Sequence, residues 1–328
     1  MRVLITGAGG FIGSHVTEYL ANKKFKIDVL IKYNSNSDIG WLKNLNNKTR
    51  GKINFHFGDI RDSNYILEIT KNIDVIVNLA ALISIPYSYK SQNSYFQTNL
   101  DGTLNILNAA KKNKIKHIIL TSTSEVYGSA LYVPIDEKHP LQPQSPYSAS
   151  KISADAAGIS YYNSFDLPVT ILRPFNCFGP RQSNRAIIPR IINQLKKNPN
   201  NIKLGNLYPR RDFTYVEDTA EGFFKVIKAG KKTFGKTINI GSSHDISMRD
   251  VLKKISEIMD VKYKLKSSKK HKRPTKSEVD RLLADSTIAK KLLNWKPKYS
   301  GKYGFSKGLK KTIEWNLKNN SELNDFVF

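Results

Sequence analysis

The sequence predicts an α/β protein that has a doubly wound parallel sheet and a second, smaller mixed α/β domain. Two patterns favour this fold. Short β-branched runs alternate with amphipathic stretches in the first half, and a glycine-rich turn joins the first run to the first helical pattern. The chain has 328 residues, of which 40% are hydrophobic, which is enough for a large core. We place the domains at residues 1–175 and 176–328, partly interleaved.

Each strand of the predicted sheet is a short run rich in β-branched residues. The predicted strands cover residues 3–5, 27–31, 53–57, 75–79, 117–122 and 169–172. The clearest helical patterns lie at residues 91–112, 146–165, 216–229 and 248–259. Beyond residue 176 the alternation of strand and helix patterns becomes irregular, and loops that contain glycine and proline interrupt it. This change indicates the smaller domain.

The chain is strongly basic, with 53 Lys and Arg against 27 Asp and Glu, a formal charge of +26. This positive charge can indicate binding of a phosphate-rich partner, either nucleic acid or a phosphorylated small molecule. Alternatively, the lysines simply occupy solvated surface positions. One cluster stands out, at residues 261–276, with eight lysines and arginines and no acid. Most other lysines are dispersed, so we favour a solvated surface and expect no nucleic-acid partner.

Composition also excludes several classes of protein. The single cysteine, Cys177, has no partner for an internal disulfide, so a reducing cytoplasm is the expected location. The six histidines are scattered without ligand spacing, so we expect no metal site. The chain opens directly on a strand-like run and has no apolar segment near the ~20 residues of a membrane span, which predicts neither a secretory signal nor a membrane partner.

The glycine-rich turn at residues 6–13 reads TGAGGFIG and opens a helix. Gly7 permits a tight turn, Gly10 lets the backbone approach a pyrophosphate, and Gly13 lets the helix pack closely on the strand. The helix N-terminus, which includes Phe11 and Ile12, supplies free N–H groups and a positive dipole end. Because the glycines sit in a strand–turn–helix context, the segment predicts a Rossmann-type dinucleotide site.

The form of the dinucleotide stays open from the sequence. An NAD site usually ends its second strand with an acid that accepts from the adenosine ribose. The second predicted strand is followed instead by Lys32, which could meet a 2′-phosphate or simply be solvated. Asp59, after the third predicted strand, is placed to reach the adenine.

A tyrosine and a lysine lie four residues apart at Tyr147 and Lys151, on one face of a predicted helix. Ser145 is a good N-cap and Pro146 a good first helical residue, which places Tyr147 in the first turn. A nearby ammonium favours the phenolate, so we expect a phenol pKa shifted toward working pH. Such a phenolate can take a hydroxyl proton while hydride leaves the same carbon.

The end of the fifth predicted strand carries further polar residues, in the segment TSTSEVYG at 121–128. Ligands of open α/β sheets bind at the carboxyl ends of the strands. There, Thr123 can hydrogen-bond the reacting hydroxyl. Glu125 adds a carboxylate that a simple alcohol oxidoreductase does not need, and it is either a general base or a solvent-exposed loop acid.

These motifs together resemble the extended short-chain dehydrogenases/reductases, in the nucleotide-sugar epimerase and dehydratase branch. The resemblance covers essentially the whole chain, through residues 6–13, 78–81, 99–103, 122–123, 147–151, 173–176, 178–182 and 211–216. Thr-Ser-Glu at 123–125 is similar to the same segment of the GDP-mannose 4,6-dehydratases. Epimerases generally have a small residue at the position of Glu125. The dTDP-glucose dehydratases have Asp at the position of Ser124. Segments 33–42 and 81–89 resemble the N-acetylglucosamine-nucleotide 4,6-dehydratases of legionaminic acid biosynthesis.

The resemblance implies a nucleotide-sugar 4,6-dehydratase with tightly bound, recycled NAD(P). Tyr147 and Lys151 would oxidise C4 of a UDP- or GDP-linked N-acetylglucosamine, and Glu125 would remove the C5 proton. Water would leave C6, to which the hydride returns, with Glu125 or a water held by Ser124 as the acid. A 4-epimerase of the same fold is the alternative. A non-catalytic dinucleotide-binding protein that uses its basic surface on nucleic acid is a third reading.

The resemblance also implies which residues line the site. The expected cofactor-binding residues are Gly7, Gly10, Phe11, Ile12, Gly13, Lys32, Asp59, Ile60, Leu79, Ala80, Ala81, Asn99, Ser122, Tyr147 and Lys151. The expected substrate-binding residues are Ser84, Asn176, Arg181, Arg211, Arg273 and Glu278. Arginine suits a diphosphate, but each arginine could instead form a structural ion pair.

Two predicted helices carry apolar residues beyond one buried face, among them Leu104, Leu107, Ile152 and Tyr162. The resemblance implies that two subunits pair these helices in a four-helix bundle, which makes a homodimer. Ordinary packing on the sheet is the alternative.

Overall fold

The computed structural model describes residues 1–267 and 277–319. Its strands are β1 (Arg2–Thr6), β2 (Lys26–Lys32), β3 (Ile53–Gly58), β4 (Val75–Asn78), β5 (His117–Thr121), β6 (Val169–Pro174), β7 (Asn176–Phe178), β8 (Ile202–Leu204), β9 (Arg210–Tyr215), β10 (Thr237–Ile240), β11 (Asp245–Ser247), β12 (Leu265–Ser267) and β13 (Arg281–Leu282).

The helices lie between these strands and after them. They are α1 (Phe11–Asn22), α2 (Asn47–Arg50), α3 (Ser63–Ile69), α4 (Ile85–Ser88), α5 (Gln92–Phe96), α6 (Gly102–Lys112), α7 (Pro146–Phe165), α8 (Ile187–Lys197), α9 (Val216–Ala229), α10 (Met248–Met259), α11 (Thr287–Leu293) and α12 (Gly301–Asn319). A π-helical turn, Gln97–Asp101, joins α5 to α6, and a 3₁₀ turn, Ser124–Tyr127, follows β5.

The main sheet has seven parallel strands in the order β10-β6-β5-β4-β1-β2-β3. Helices cover both of its faces: α1, α9 and α11 pack on one, and α3, α6 and α7 on the other. Because the central strands are buried on both faces, they read as continuous apolar runs rather than as alternating ones. This is the doubly wound, Rossmann-type architecture that the sequence predicts, and its polar ligand-binding edge lies at the carboxyl ends of the strands.

A smaller structure is built from the second half of the chain. β9 pairs with β11, β13 and β7, while β8 pairs with β12. Helices α8, α10 and α12 pack around these strands over a separate apolar core. β10, however, returns to the main sheet beside β6, so residues beyond 175 also complete the larger layer.

The predicted elements compare closely with the observed ones. All six predicted strands are present, and α7, α9 and α10 have the predicted bounds. The helix predicted at 91–112 is divided by the π-helical turn. The sequence analysis missed β10, because four residues that follow a loop-rich stretch carry little periodic signal.

Two of the residues taken as surplus apolar surface are explained within the chain. Leu107 is fully buried in the core between the sheet and its helices, so it was wrong to count it as available to a second subunit. The ring of Tyr162 packs over Gly235. Within the described ranges, no helix combines the length and apolar character that crossing a bilayer requires.

Candidate active site

The glycine-rich turn forms a cradle at the carboxyl end of β1. Gly7 has φ +67°, and a Cβ there would lie 2.8 Å from the backbone nitrogen of Ala80. A Cβ on Gly13 would lie 2.2 Å from the carbonyl oxygen of Gly7. Gly10 is the N-cap of α1 and provides no side-chain cap, so the first N–H groups of this 12-residue helix are free for an anion. The backbone therefore fits a pyrophosphate.

The loop after β4 forms the adjoining wall of the cradle. The backbone N–H groups of Leu79 and Ala80 donate to the Thr6 hydroxyl at 3.1 and 3.0 Å. Asn99, in the π-helical turn, accepts from the Leu82 backbone at 2.9 Å and donates to the Ser150 hydroxyl at 2.9 Å. Asn99 is 1% exposed, so its side chain holds the loop in place, and a direct contact with the cofactor stays a prediction.

Two more predicted cofactor residues lie at the carboxyl end of β3. Asp59 accepts from Arg61 Nε and Nη2 at 2.9 and 2.6 Å. This hydrogen bonding holds the pKa of Asp59 below its usual value, and Lys32 lowers it further. Ile60 is buried and lies against Gly102 of α6. The structure thus brings Lys32 and Asp59 together at one end of the cradle.

Tyr147 enters the site from the first turn of α7. Ser145 and Ser148 form a reciprocal capping box, with the Ser145 hydroxyl accepting from the Ser148 backbone at 3.1 Å. Pro146 occupies the first turn, as predicted. Tyr147 is 7% exposed and its ring meets Tyr95 edge-on, with centroids 6.2 Å apart. Local capping therefore fixes where the phenol lies.

The pKa of Tyr147 is raised above its ordinary value, chiefly because burial penalises the phenolate. A hydrogen bond with Thr123 opposes this rise, while the nearby Glu125 carboxylate adds to it. The expectation of a phenol pKa shifted toward working pH is therefore wrong, because burial of the phenol raises its pKa instead.

Lys151 lies one turn along the same face of α7 and is 7% exposed. Its ammonium donates to the Thr121 carbonyl at 2.6 Å. Burial lowers the pKa of Lys151, while the Asp155 carboxylate raises it. Asp155 Oδ2 also accepts from the Ser122 hydroxyl at 2.6 Å. One buried carboxylate, Asp155, thus holds Ser122 by a hydrogen bond and favours the charged form of Lys151.

Ser124 and Glu125 lie in the 3₁₀ turn that follows β5. Thr123 caps this turn, and its hydroxyl accepts from the Glu125 backbone at 3.2 Å. Ser124 is 2% exposed, whereas Glu125 is half-buried. Glu125 is thus partly shielded from solvent, and its role as a general base stays a prediction.

We predict that replacing Thr123 with valine shifts the pH–rate profile to higher pH. The valine removes the hydrogen bond that lowers the pKa of Tyr147, so the phenol stays protonated over a wider range. We expect roughly tenfold lower activity at neutral pH. Rates measured from pH 6 to 10 test this, with Thr123→Ser as the matched control that keeps the hydroxyl. An unshifted profile in Thr123→Val contradicts the role of Thr123.

The predicted substrate residues fall at several places. Arg211 is 6% exposed, and its Nη2 lies 3.9 Å from Glu278 Oε1, so the structure brings these two predicted residues together. The Oδ1 of Asn176 is buried without a hydrogen-bond partner among the described residues, as expected of a group that awaits a ligand. Ser84 caps α4, and its carbonyl accepts from Tyr95.

Arg181 forms the structural ion pair that was the alternative for each arginine. Its Nη2 donates to Glu18 Oε2 of α1 at 2.7 Å. The guanidinium therefore faces the helix that begins at the glycine-rich turn, and substrate binding by Arg181 stays a prediction. Arg273 lies outside the described residues.

The sequence analysis missed a buried network behind the site. Asp155 accepts from Arg173 Nε and Nη2, at 3.1 and 2.9 Å. Arg173 in turn donates to the Tyr127 hydroxyl at 2.9 Å. The spacing of Asp155, four residues after Lys151, was the available signal. Among residues 1–267 and 277–319, no three His, Cys, Asp or Glu side chains are grouped so that they could hold a metal ion.

Comparison with known proteins places this site in a family. The family model described as GDP-mannose 4,6 dehydratase matches residues 4–311. The dTDP-D-glucose 4,6-dehydratase of Homo sapiens is 30% identical and aligns with 97% of this chain and 90% of its own. The dTDP-D-glucose 4,6-dehydratase of Dictyostelium discoideum is 37% identical over 78% of this chain, and the alignment spans 62% of that protein's length.

Solved structures agree with these relatives. A double mutant of DesIV, a dTDP-glucose 4,6-dehydratase from Streptomyces venezuelae with NAD bound, has TM-score 0.86 and 26% identity over 97% of this chain and 98% of its own. A variant UDP-glucuronic acid 4-epimerase from Bacillus cereus, also with NAD, has TM-score 0.87 and 28% identity over 97% of this chain and 99% of its own. The chain therefore belongs to the GDP-mannose 4,6-dehydratase family, among the extended short-chain dehydrogenases/reductases that act as nucleotide-sugar dehydratases and epimerases.

Proposed function

We propose that this enzyme is a nucleotide-sugar 4,6-dehydratase that converts UDP- or GDP-N-acetylglucosamine to the 4-keto-6-deoxy sugar. One observation carries the proposal. Glu125 stands in the turn after β5, two residues beyond Thr123, and the charge of its carboxylate raises the pKa of Tyr147 in a site that also holds Lys151. Oxidation at C4 needs only the tyrosine, threonine and lysine, so the added carboxylate supports a second step, the removal of a carbon-bound proton.

NAD(P) is the cofactor, and the chain offers a fitting cradle for it. The close approach of Gly7 to Ala80, and the free first turn of α1, leave room and N–H donors for a pyrophosphate. Gly10, Phe11, Ile12 and Gly13 would hold the diphosphate, and Leu79, Ala80 and Ala81 would line the adjoining wall. When bound, the dinucleotide would supply reversible hydride transfer between C4 and C6 of the sugar, so it would be recycled.

The chain's own residues would move the protons. Tyr147, hydrogen-bonded with Thr123, takes the proton of the C4 hydroxyl as that carbon becomes a ketone. The ketone acidifies C5, from which Glu125 removes the proton. The C6 hydroxyl takes a proton and leaves as water, and C5 regains a proton when the hydride returns to C6, so the sugar loses one water and no net electrons. Ser124 is almost fully buried whereas Glu125 is only half-buried, which favours Glu125 as the acid for this leaving group.

Arg211 and Glu278 would bind the nucleotide end of the substrate. The guanidinium suits the pyrophosphate, and the carboxylate beside it suits ribose hydroxyls. Asn176, with its unpartnered Oδ1, would contact the sugar-phosphate. The sequence likeness of segments 33–42 and 81–89 supports an N-acetyl sugar and a role in legionaminic acid or a related surface glycan.

We also propose that two copies pair through α5, α6 and α7. Leu104 is only partly buried and Phe165 is 48% exposed, which leaves apolar surface on these helices. With Leu107 inside the core, this surface is smaller than the sequence suggests, so family likeness is the main support. Light scattering of the purified protein measures the mass of the particle and so tests the dimer.

We also propose that the enzyme lies in the cytoplasm, where nucleotide sugars are made.

The decisive experiment offers the purified protein UDP-N-acetylglucosamine and GDP-N-acetylglucosamine separately. A dehydratase yields a product lighter by one water, which absorbs near ~320 nm after alkali because it is a 4-keto sugar. We expect this product from one of the two nucleotides. A product of unchanged mass identifies a 4-epimerase instead and contradicts the proposal. No turnover, together with steeply salt-dependent binding to duplex nucleic acid, supports the non-catalytic reading.

A further inference from the structure

Among the residues that the structure describes, the end of β2 carries no carboxylate of the kind that selects an unphosphorylated ribose. β2 ends at Lys32, which lies opposite Gly58, the last residue of β3. Lys32 is exposed, and it is followed by Tyr33, which is 71% exposed. In dinucleotide folds, an acid at this strand end accepts from the 2′-hydroxyl of NAD, whereas a cation nearby accommodates the 2′-phosphate of NADP.

Three carboxylates lie on the flanking loops, and each is already engaged. Asp59 is held by Arg61, with Nη2 and Oδ2 2.6 Å apart. Asp62 caps the N-terminus of α3. Asp38 lies 3.9 Å from the Lys43 ammonium. None of the three continues β2, so none stands where the ribose-binding acid of an NAD site does.

Lys32 is a cation at this position whose ammonium forms no hydrogen bond or ion pair within residues 1–267 and 277–319. Lys32 lies opposite Gly58, the residue before Asp59, and its charge lowers the pKa of Asp59. Asp59 is already paired with Arg61, which leaves the charge of Lys32 available to an anion. An exposed ammonium that a neighbouring carboxylate does not fully neutralise suits a dianionic phosphate.

The loop after β2 is built to keep this position fixed. The Asn34 side chain accepts from the Asp38 backbone at 2.7 Å and donates to the Asp38 carbonyl at 3.0 Å. Further along, the Trp41 backbone donates to the Gly9 carbonyl at 2.9 Å, which ties the loop to the glycine-rich turn. The ring of Trp41 also meets Trp315 of α12, with centroids 5.2 Å apart. Lys32 is therefore held next to the cradle by the backbone on either side of it.

We infer that the enzyme selects NADP over NAD, with the ammonium of Lys32 binding the 2′-phosphate. This inference deepens the proposed function, and it rests on that function only in placing a dinucleotide at the glycine-rich turn. The structures of similar proteins compared above hold NAD, so the inference separates this chain from them.

The test identifies the dinucleotide that each variant binds. Native mass spectrometry of the purified protein, followed by titration calorimetry with NADP⁺ and NAD⁺, measures the preference without any turnover. We expect NADP in the natural protein. The Lys32→Glu variant, which supplies the missing acid, should change the ratio of the two affinities by roughly tenfold or more in favour of NAD. Lys26→Glu, at the opposite end of β2, is the matched control and should keep NADP.

The outcomes are distinguishable from those of the dehydratase assay. NAD in the natural protein, an unchanged preference in Lys32→Glu, or no binding of either dinucleotide overturns the inference. NADP binding without turnover of either nucleotide sugar leaves the inference standing and contradicts only the proposed function. Turnover of a nucleotide sugar by an enzyme that holds NAD supports the proposed function and contradicts the inference.

Discussion

Replacing Glu125 with glutamine will abolish formation of the 4-keto-6-deoxy product, a loss of about 10²–10⁴ in rate. Glutamine keeps the size of the side chain but cannot accept the C5 proton. The capping contact between Thr123 and the Glu125 backbone is independent of the carboxylate, so the turn that carries the residue should survive. The rate is measured by the alkali-induced absorbance of the product and by its mass.

A variant remote from the site controls for nonspecific effects. Glu257→Gln removes a carboxylate from α10 that is 54% exposed and pairs only loosely with Lys253, at 4.0 Å. We expect natural activity from it. Glu125→Gln should also keep its melting temperature and its bound dinucleotide. Full turnover by Glu125→Gln would show that another group removes the C5 proton, and the assignment of Glu125 would be withdrawn.

The second large effect is expected for Tyr147→Phe, which should lose about 10²–10⁴ in rate because the acceptor of the C4 hydroxyl proton is removed. Burial raises the pKa of Tyr147, so the natural enzyme should gain activity as pH rises and the phenolate fraction grows. The residual rate of Tyr147→Phe should lack this rise. Product formation at a series of pH values measures both effects.

Tyr303→Phe is the matched control. Tyr303 also precedes a lysine, Lys307, by four residues, but it is 84% exposed on α12. We expect it to keep the natural rate and the natural pH profile. Equal rates for Tyr147→Phe and the natural protein would place the proton acceptor elsewhere. The comparison separates the effect of the tyrosine–lysine spacing from the effect of burial.

Local patterns predicted much of the site because they depend on neighbours in sequence. The glycine turn is specified by the positive φ of Gly7 and by the lack of room for a Cβ at Gly13, together with the strand and helix on each side. The cap of α7 uses Ser145 and Pro146, which act within one turn, and α7 begins at the predicted residue. Periodicity likewise located α9 and α10.

Local sequence patterns could not predict contacts between segments that are distant in the chain. The network of Asp155, Arg173 and Tyr127 brings together residues from α7, β6 and the turn after β5. Its existence depends on how α7 packs across the sheet, which spacing along one helix does not show. The placement of Arg181 against Glu18, on a helix more than 160 positions earlier, is of the same kind.

By itself, the sequence determined the doubly wound sheet and the dinucleotide turn and selected the candidate reacting side chains, because each depends on short-range conformation, periodicity and motif. Only the tertiary structure decided the electrostatics of those side chains. Burial is a property of the packed chain, and it raises the pKa of Tyr147 where the spacing to Lys151 predicted the opposite. Packing also decided that Leu107 belongs to the core and that β10 completes the main sheet, since both depend on contacts between distant segments.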